Sequence, residues 1–266
     1  MERKNWMMSL AAGVLLTALL AGLAPAATPD VNSAVIRTRI FNDCPTSILT
    51  TVNNYPAYIM ISDADLSCYG YANLHNWRFS EDGVNPAVFH NDSEFGFGAW
   101  LVISGTAEGE SGLQISPWWS QDVDGRLNVR TTDGEIACFG GRLPFFTFTG
   151  TYGLRYVKGT PIHLGMIYHP NGLSETDPGT IEYLVDYQGM AYSSGVLPFD
   201  QGNPGEPYGL WGILEDARVG AHLQPFMQPG IPGMVLTAEW MDIVFTPLGP
   251  TATEHTTWGS LKSLYQ

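Results

Sequence analysis

Apolar residues alternate with polar ones in many short runs of the chain, and Gly, Pro, Asn and Asp separate these runs. Such alternation is typical of β-strands that bury one face, and frequent turns between short strands are typical of sandwiches and barrels. The runs occupy residues 35–41, 57–61, 95–104, 112–119, 126–131, 135–139, 162–168, 180–187, 190–197 and 234–245. Between residues 30 and 245 no segment combines a helical period with capping residues, so we predict one all-β domain without helices there.

The stretch from residue 108 to residue 139 shows the alternation most clearly. Its apolar face carries Leu113, Ile115, Leu127 and Val129. Its other face carries Glu110, Gln114, Trp118, Arg126, Asn128, Arg130 and Phe139. A two-residue turn at Asp133-Gly134 would pair Asn128 with Phe139 and direct Cys138 to the apolar face. A similar turn at residues 124–125 would place apolar residues of one strand opposite polar residues of the next. We therefore expect a longer loop or a bulge near Pro117.

This second face has the chemistry of a sugar-binding surface. The C–H groups of a pyranose stack on an aromatic ring, while fixed polar groups bind its hydroxyls. We therefore predict a carbohydrate site formed by Glu110, Gln114, Trp118, Arg126, Asn128 and Arg130. The alternative is a structural role, in which Trp118 is buried under residues 35–66 and the arginines pair with Glu108 and Glu110.

Acidic residues outnumber basic ones by 26 to 12, which gives a formal net charge of −14 and a pI near 4.6. This balance argues against proteins that bind nucleic acid or anionic membrane surfaces through positive charge. Hydrophobic residues make up 44% of the chain, enough for a core, so the acidity does not indicate a disordered segment.

The first 26 residues have the organisation of a secretory signal peptide. Arg3 and Lys4 precede an apolar stretch at residues 7–23, and Ala24-Pro25-Ala26 is a typical cleavage site. We predict cleavage after Ala26, a secreted or extracytoplasmic location and no membrane insertion of the mature chain. An uncleaved membrane anchor is the alternative.

Export permits a disulfide, and Cys44 and Cys68 lie in turn-rich segments close to the mature N-terminus. We predict that they are bonded to each other and that Cys138 is reduced and buried. The sandwich domain is predicted for residues 27–248. Residues 249–266 are predicted to form a linker and a short C-terminal helix, which either docks on the body through Trp258 or serves as a recognition or sorting tail.

Catalytic and metal-binding motifs are largely absent. The sequence has no G-x-S-x-G, H-E-x-x-H, P-loop or G-x-G-x-x-G motif, and its cysteines lack zinc-site spacing. We predict no cofactor, with calcium left open. Asp122-Val123-Asp124-Gly125 is similar to the start of a calcium loop but lacks its later ligands, and Asp200 with Asn203 is a second candidate.

The run Ala238-Glu239-Trp240-Met241-Asp242-Ile243-Val244-Phe245, the segment Tyr208-Gly209-Leu210-Trp211-Gly212 and residues 217–226 resemble late strands of the concanavalin A-like lectin/glucanase jelly roll. The resemblance spans residues 35–248. It implies two packed antiparallel sheets with a concave face that often carries carbohydrate-binding or hydrolytic residues. The E-x-D-x-x-E strand of the glucanases is missing, and only Glu108 with Glu110, and Glu182 with Asp186, form same-face pairs. The resemblance therefore implies the fold and not the enzyme.

These observations favour an exported, lectin-like carbohydrate-binding domain without catalytic activity. Two alternatives stay open. In an enzyme, Glu110 and a facing acid would act in a glycoside hydrolase, or Arg130 would neutralise the substrate carboxylate in a polysaccharide lyase. In the other alternative, the chain is a structural envelope or adhesion module with no small ligand.

Overall fold

The computed structural model describes residues 28–68, 70–71, 73–117, 125–200, 211–227, 231 and 233–249. These residues form antiparallel strands and one short helix, α1 (Phe148–Tyr152). The strands are β1 (Ser33–Arg37), β2 (Ile48–Asn54), β3 (Tyr58–Leu66), β4 (Gly70–Tyr71), β5 (His75–Ser80), β6 (Phe95–Gly105), β7 (Glu108–Pro117), β8 (Gly125–Arg130), β9 (Ile136–Phe139), β10 (Phe146–Thr147), β11 (Ile162–His169), β12 (Thr180–Tyr187), β13 (Met190–Pro198), β14 (Ala217–Met227) and β15 (Met234–Pro247).

The strands pair into two sheets. The first sheet has the order β1-β5-β14-β7-β8-β9-β10, with β4 also paired to β14, and the second has the order β13-β12-β11-β6-β15-β3-β2. Every pairing is antiparallel. The predicted two-sheet jelly-roll sandwich is therefore confirmed. The predicted signal peptide at residues 1–26 and, apart from Gly249, the predicted tail at residues 249–266 lie outside the described residues.

The two sheets pack face to face over an aromatic core. Trp77 of the first sheet meets Trp240 of the second edge to face, with 6.1 Å between the ring centroids. Phe79 contacts Phe97 and Phe245 with centroid distances of 5.7 and 5.1 Å. Because aromatic side chains bury large areas and prefer such edge contacts, this cluster holds the sheets together.

Helix α1 corrects the expectation of no helix before residue 245. Five residues are too few to produce a recognisable helical period in the sequence. Local capping defines it instead: Oγ1 of Thr147 accepts a hydrogen bond from the Gly150 N–H over 3.0 Å, and Gly153 ends the helix with a φ of 73°. No helix in the described part of the chain is long and apolar enough to cross a bilayer.

The connection between β8 and β9 also differs from the prediction. Asn128 pairs with Ala137, and Phe139 lies opposite Arg126. The loop is longer than two residues because Asp133 accepts hydrogen bonds from the Glu135 N–H and the Arg130 side chain, which stabilises a wider turn. The register differs by two residues, so every side chain stays on its predicted face.

The cysteines behave as predicted. Cys44 and Cys68 form a disulfide, with 5.7 Å between their Cα atoms. Cys138 is reduced and fully buried, and burial raises the pKa of its thiol well above 9.0. A disulfide is typical of oxidising compartments, and export itself stays a prediction.

A buried polar cluster joins the two sheets beside the disulfide. Asp63 of β3 contacts His75 of β5, with 3.0 Å between Oδ2 and Nε2. Asn73 donates a hydrogen bond to Asp63 Oδ2 over 2.8 Å and exchanges two hydrogen bonds with the backbone of Cys44 over 3.0 Å. The side-chain amide of Asn73 thereby links the backbone at Cys44, one of the two disulfide cysteines, to the buried Asp63.

Candidate functional site

The face of the first sheet that points away from the second sheet is polar, and we call it the polar face. Alternate residues of β5, β7, β8 and β14 belong to the core, so the residues between them lie on the opposite side. The polar face carries Asn76, Arg78, Glu108, Glu110, Gln114, Ser116, Arg126, Asn128, Arg130, Arg218, His222 and Gln224. The strand register arranges its centre in two rows, Arg78-Gly220-Gln114-Arg126 and Asn76-His222-Gly112-Asn128.

Gly112 and Gly220 leave a gap in each row. A Cβ atom at Gly112 would lie 2.0 Å from the carbonyl oxygen of Leu127, and one at Gly220 would lie 2.0 Å from that of Trp77. Only glycine permits such a close approach of neighbouring backbones. Without a side chain at these positions, residues on the flanking strands can contact each other across the gap.

One hydrogen-bonded chain on this face begins at Glu110. Its Oε1 accepts from Arg126 over 2.8 Å, and its Oε2 accepts from Asn128 Nδ2 over 2.8 Å. Asn128 Oδ1 lies 3.1 Å from Nε2 of His222, across the gap at Gly112. Gln224 Oε1 accepts a further hydrogen bond from Arg126 over 3.0 Å. The chain therefore runs from a carboxylate through an amide to an imidazole.

A second chain begins at Arg78. Its guanidinium donates to Ser116 Oγ over 2.8 Å and to the carbonyl oxygen of Arg218 over 3.2 Å. The surroundings of Asn76 assign its amide: Oδ1 accepts from Arg78 over 2.9 Å, and Nδ2 donates to Gln114 Oε1 over 3.1 Å. This chain runs from a guanidinium through two amides, across the gap at Gly220.

Both chains end at a buried polar atom without a hydrogen-bond partner among the described residues. These atoms are Nε2 of Gln114 and Nδ1 of His222, and neither side chain has exposed area. Burial lowers the pKa of His222 well below 6.5, and the positive charges of Arg126 and Arg78 lower it further. The imidazole is therefore neutral at pH 7.

Positive charge collects on this face of an acidic protein. Arg78 and Arg126 are buried, whereas Arg218 is half-buried and donates to the carbonyl oxygens of Asp216 and Ala217 over 2.7 and 3.2 Å. Burial lowers the pKa of Arg218.

The structure brings most of the predicted site residues together. Glu110, Gln114, Arg126 and Asn128 lie on adjacent strands of the polar face. Arg130 lies on the same face, but its guanidinium pairs with Asp133 and Glu135 at the β8–β9 loop, over 2.6 and 2.7 Å. Trp118 lies outside the described residues.

The sequence alone did not indicate three residues of the polar face, Asn76, Arg78 and His222. The signal was present in part, since polar residues alternate with Trp77 and Phe79 in β5 and with Val219 and Ala221 in β14. Period two places the polar residues on one face, but only the strand order shows that β5 and β14 lie beside β7.

The remaining carboxylate pairs give little support to hydrolysis. Glu108 pairs with Lys158 over 2.6 Å, and Glu110 pairs with Arg126 over 2.8 Å. Glu182 accepts a hydrogen bond from Ser193, and Asp186 lies 3.7 Å from His163. Each of these carboxylates already interacts with a protein group.

No group of three or more His, Cys, Asp or Glu side chains that could hold a metal ion occurs in the described ranges. Of the calcium candidates, residues 122–124 and Asn203 lie outside these ranges. Calcium binding therefore stays a hypothesis.

Fold and site define a jelly-roll β-sandwich with an arginine-containing polar sheet face. No protein-family model and no curated protein sequence matches the chain. Among solved structures, alginate lyase A1-II′, a member of polysaccharide lyase family-7, is similar at a TM-score of 0.44 and 7% identity, covering 74% of this chain and 82% of the lyase.

Two lectins are similar at the same level. The Lotus tetragonolobus seed lectin gives a TM-score of 0.40 at 9% identity, covering 84% of this chain and 97% of the lectin. Lectin UEA-II, complexed with galactose, gives 0.41 at 8% identity, covering 81% of this chain and 99% of the lectin.

Proposed function

We propose that the chain is an exported domain that binds an acidic carbohydrate, of the uronate type, on the polar face. The observation that carries this proposal is the placement of Arg78, Arg126, Arg130 and Arg218 on one face of a protein in which acidic residues outnumber basic ones by 26 to 12. The same face carries two carboxylates, Glu108 and Glu110, each paired with a cation. Arg130 pairs with Asp133 and Glu135, whereas Arg78 and Arg218 donate to hydroxyl and carbonyl oxygens. Because guanidinium groups bind carboxylates through paired hydrogen bonds, this face suits a ligand that brings its own carboxylates.

The amides and the imidazole suit the rest of such a ligand. Sugar hydroxyls need fixed donors and acceptors, and side chains locked by hydrogen bonds provide them at low entropic cost. Gln114, Asn128 and His222 are fixed in this way, because they are buried and each is bonded to a neighbour. Binding without turnover is the function that we favour.

A second function, eliminative cleavage of a polyuronate, has one specific observation in its favour. The neutral His222 has an unprotonated ring nitrogen, which lies buried in a face that contains guanidinium groups. In the elimination, the base removes the proton at C5 of a uronate, the electron pair forms the C4–C5 double bond, and the C4–O bond breaks as the leaving oxygen takes a proton. A guanidinium near the carboxylate stabilises the charge that develops when C5 loses its proton.

A panel of polymers separates the hypotheses. The mature protein is titrated calorimetrically with polygalacturonate, polymannuronate, highly methyl-esterified polygalacturonate and a neutral glucan, with and without calcium, while ultraviolet absorbance monitors unsaturated products. We expect binding of an unesterified polyuronate and loss of binding on methyl esterification. Absorbance growth would instead support the lyase, and no binding to any polymer would favour the structural module.

Arg218→Gln tests whether the polyuronate binds on the polar face. The hydrogen bonds that this arginine donates go to the backbone carbonyls of Asp216 and Ala217, so its removal breaks no direct pair with a carboxylate. We expect weaker polyuronate binding by Arg218→Gln and unchanged binding by Arg155→Gln, which removes an exposed arginine bonded to the carbonyl of Asp133. Equal affinity of both variants and the wild type would contradict a site on the polar face.

A further inference from the structure

The two hydrogen-bonded chains of the polar face have opposite directions. A guanidinium can only donate hydrogen bonds and an ionised carboxylate can only accept them. A side-chain amide accepts through its oxygen and donates through its nitrogen. The first group of each hydrogen-bonded chain therefore determines whether the last side chain has a free donor or a free acceptor. Arg78 and Glu110 are these starting groups.

The chain from Arg78 ends in a donor. The guanidinium requires Asn76 to direct Oδ1 toward it, so Asn76 Nδ2 faces Gln114. Gln114 must then accept through Oε1, and this leaves Nε2 with hydrogens to donate. Nε2 is buried and has no partner among the described residues.

The chain from Glu110 ends in an acceptor. Because the carboxylate requires Asn128 to direct Nδ2 toward it, Asn128 Oδ1 faces His222. Nε2 of His222 therefore carries the proton of the neutral imidazole and donates it to Asn128. Nδ1 is left with a lone pair, buried and without a partner in the described part of the chain.

The free donor and the free acceptor belong to neighbouring side chains. Gln114 pairs with Gly220 on β14, and His222 is two residues further along that strand, so the two side chains are diagonal neighbours on one face. Long side chains at diagonal positions reach a common group. They are not hydrogen-bonded to each other.

We propose that Gln114 Nε2 and His222 Nδ1, which have no exposed area in the free protein, together form a subsite that one hydroxyl group of a carbohydrate enters on binding. A hydroxyl matches this pair because it accepts a hydrogen bond from Nε2 and donates its own proton to Nδ1. A carboxylate cannot donate and an ammonium group cannot accept, so neither satisfies both atoms. The identification of the occupant as a carbohydrate rests on the proposed function. The free donor of Gln114 and the free acceptor of His222 follow instead from the hydrogen bonds that begin at Arg78 and Glu110.

Asn76 and Asn128 act here as positioning residues. Asn76→Asp makes the strongest test, because an aspartate beside Arg78 can only accept from Gln114. Gln114 would then turn its Nε2 toward residue 76 and present Oε1, which replaces the free donor by an acceptor. Gln114→Glu removes the donor directly at nearly constant size, and Gln188→Glu makes the same change at an exposed turn as a control.

The experiment uses the mature protein labelled with ¹⁵N-histidine. Its long-range ¹H–¹⁵N spectrum should show His222 protonated at Nε2 and unprotonated at Nδ1. Glycerol, an uncharged polyol, is then titrated while the Nδ1 resonance is followed. We expect a saturable shift in the wild type and in Gln188→Glu, and about tenfold weaker binding in Asn76→Asp and Gln114→Glu, which corresponds to one lost hydrogen bond.

Two results would overturn the proposal. The first is protonation of His222 at Nδ1 in the unliganded protein. The second is an Nδ1 resonance that glycerol does not move, which would show that the pair holds a structural water only. A glycerol response without binding of any polyuronate would refute the acidic-carbohydrate function while supporting this subsite, so the two failures are distinguishable.

Discussion

Nε2 of His75 lies 3.0 Å from Oδ2 of Asp63, and this contact joins the two sheets at a point where neither side chain is exposed. The Arg39 N–H donates to Nδ1 of His75 over 3.0 Å, so Nε2 carries the proton that Asp63 accepts. Burial raises the pKa of Asp63, but hydrogen bonds from His75, Ser47 and Asn73 outweigh burial and hold the pKa below 3.8.

The first prediction concerns Asp63→Asn. The folded-state pKa of Asp63 is depressed, so its contribution to stability is present above pH 3.8 and is lost as the pH falls through the lower folded value. At pH 7 we expect the variant to be less stable by about 1–3 kcal/mol, because an amide leaves part of the cluster unbonded. Urea unfolding at several pH values measures the difference, which should shrink below pH 3.8. A difference that does not change with pH would contradict this account.

The second prediction concerns a higher pH window. Burial lowers the pKa of His163 from 6.5 to about 4, so the unfolded chain binds its proton before the folded one. Stability should therefore fall as the pH decreases from 6.5 to 4, by about 3 kcal/mol for a shift of this size. His222 acts in the same direction, so the test compares the wild type with His163→Gln. Unfolding titrations should show a flatter profile for the variant; parallel profiles would refute the assignment.

The third prediction concerns the buried pair of Glu110 and Arg126. Removing one partner leaves the other charge buried, so Arg126→Ala should reduce the free energy of unfolding by about 3–5 kcal/mol. Removing both residues should cost less than the sum of the two single changes. A double-mutant cycle by denaturant unfolding gives the coupling, and additive effects would show that the pair is not energetically linked.

Most of the fold follows from alternation in the sequence, because one face of each long strand is apolar. The predicted runs of β6, β11, β12 and β15 coincide closely with the observed strands. Strand β2 was missed because it lies at a sheet edge and is largely exposed, so it lacks an apolar face. Strand β5 was missed because all of its side chains are buried, the polar ones included.

The candidate site was predictable only within one hairpin. The faces of β7 and β8 follow from local period and loop length, and they brought Gln114 and Asn128 onto one face. His222 lies more than a hundred residues from Gln114 in sequence, and only the pairing of β14 with β7 makes them neighbours. Side-chain alternation carries no information about which strands pair over such distances.

The fourth prediction concerns the glycines that open the polar face. A methyl group at Gly112 or Gly220 would lie 2.0 Å from a carbonyl oxygen of the neighbouring strand. We expect Gly112→Ala and Gly220→Ala to destabilise the protein by about 1–3 kcal/mol, because the strands must separate. Gly249→Ala, where a Cβ atom meets no atom within 4 Å, is the control. Melting temperatures equal to the control would show that the sheet accommodates a side chain there.

The fifth prediction concerns the cysteines. The disulfide closes a loop with a sequence separation of 24, so Cys44→Ala with Cys68→Ala should cost about 3 kcal/mol of stability. Because Cys138 is fully buried and its thiol pKa is raised, a thiol reagent should label it only after unfolding. Mass spectrometry of native and denatured samples checks both. Labelling of Cys138 in the native protein would contradict its placement in the core.

The last long strand, β15, lies between β6 and β3, and Trp240 pairs with residues of both, Leu101 and Ile59. Until β15 has left the ribosome, β3 and β6 have no pairing partner on their facing edges, so the second sheet cannot close during synthesis. Contacts between residues so distant in sequence form slowly and leave strand edges open in the meantime. The order of the strands thus delays closure of the second sheet until β15 has been synthesised, and the contact of Trp240 with Trp77 across the core can form only then.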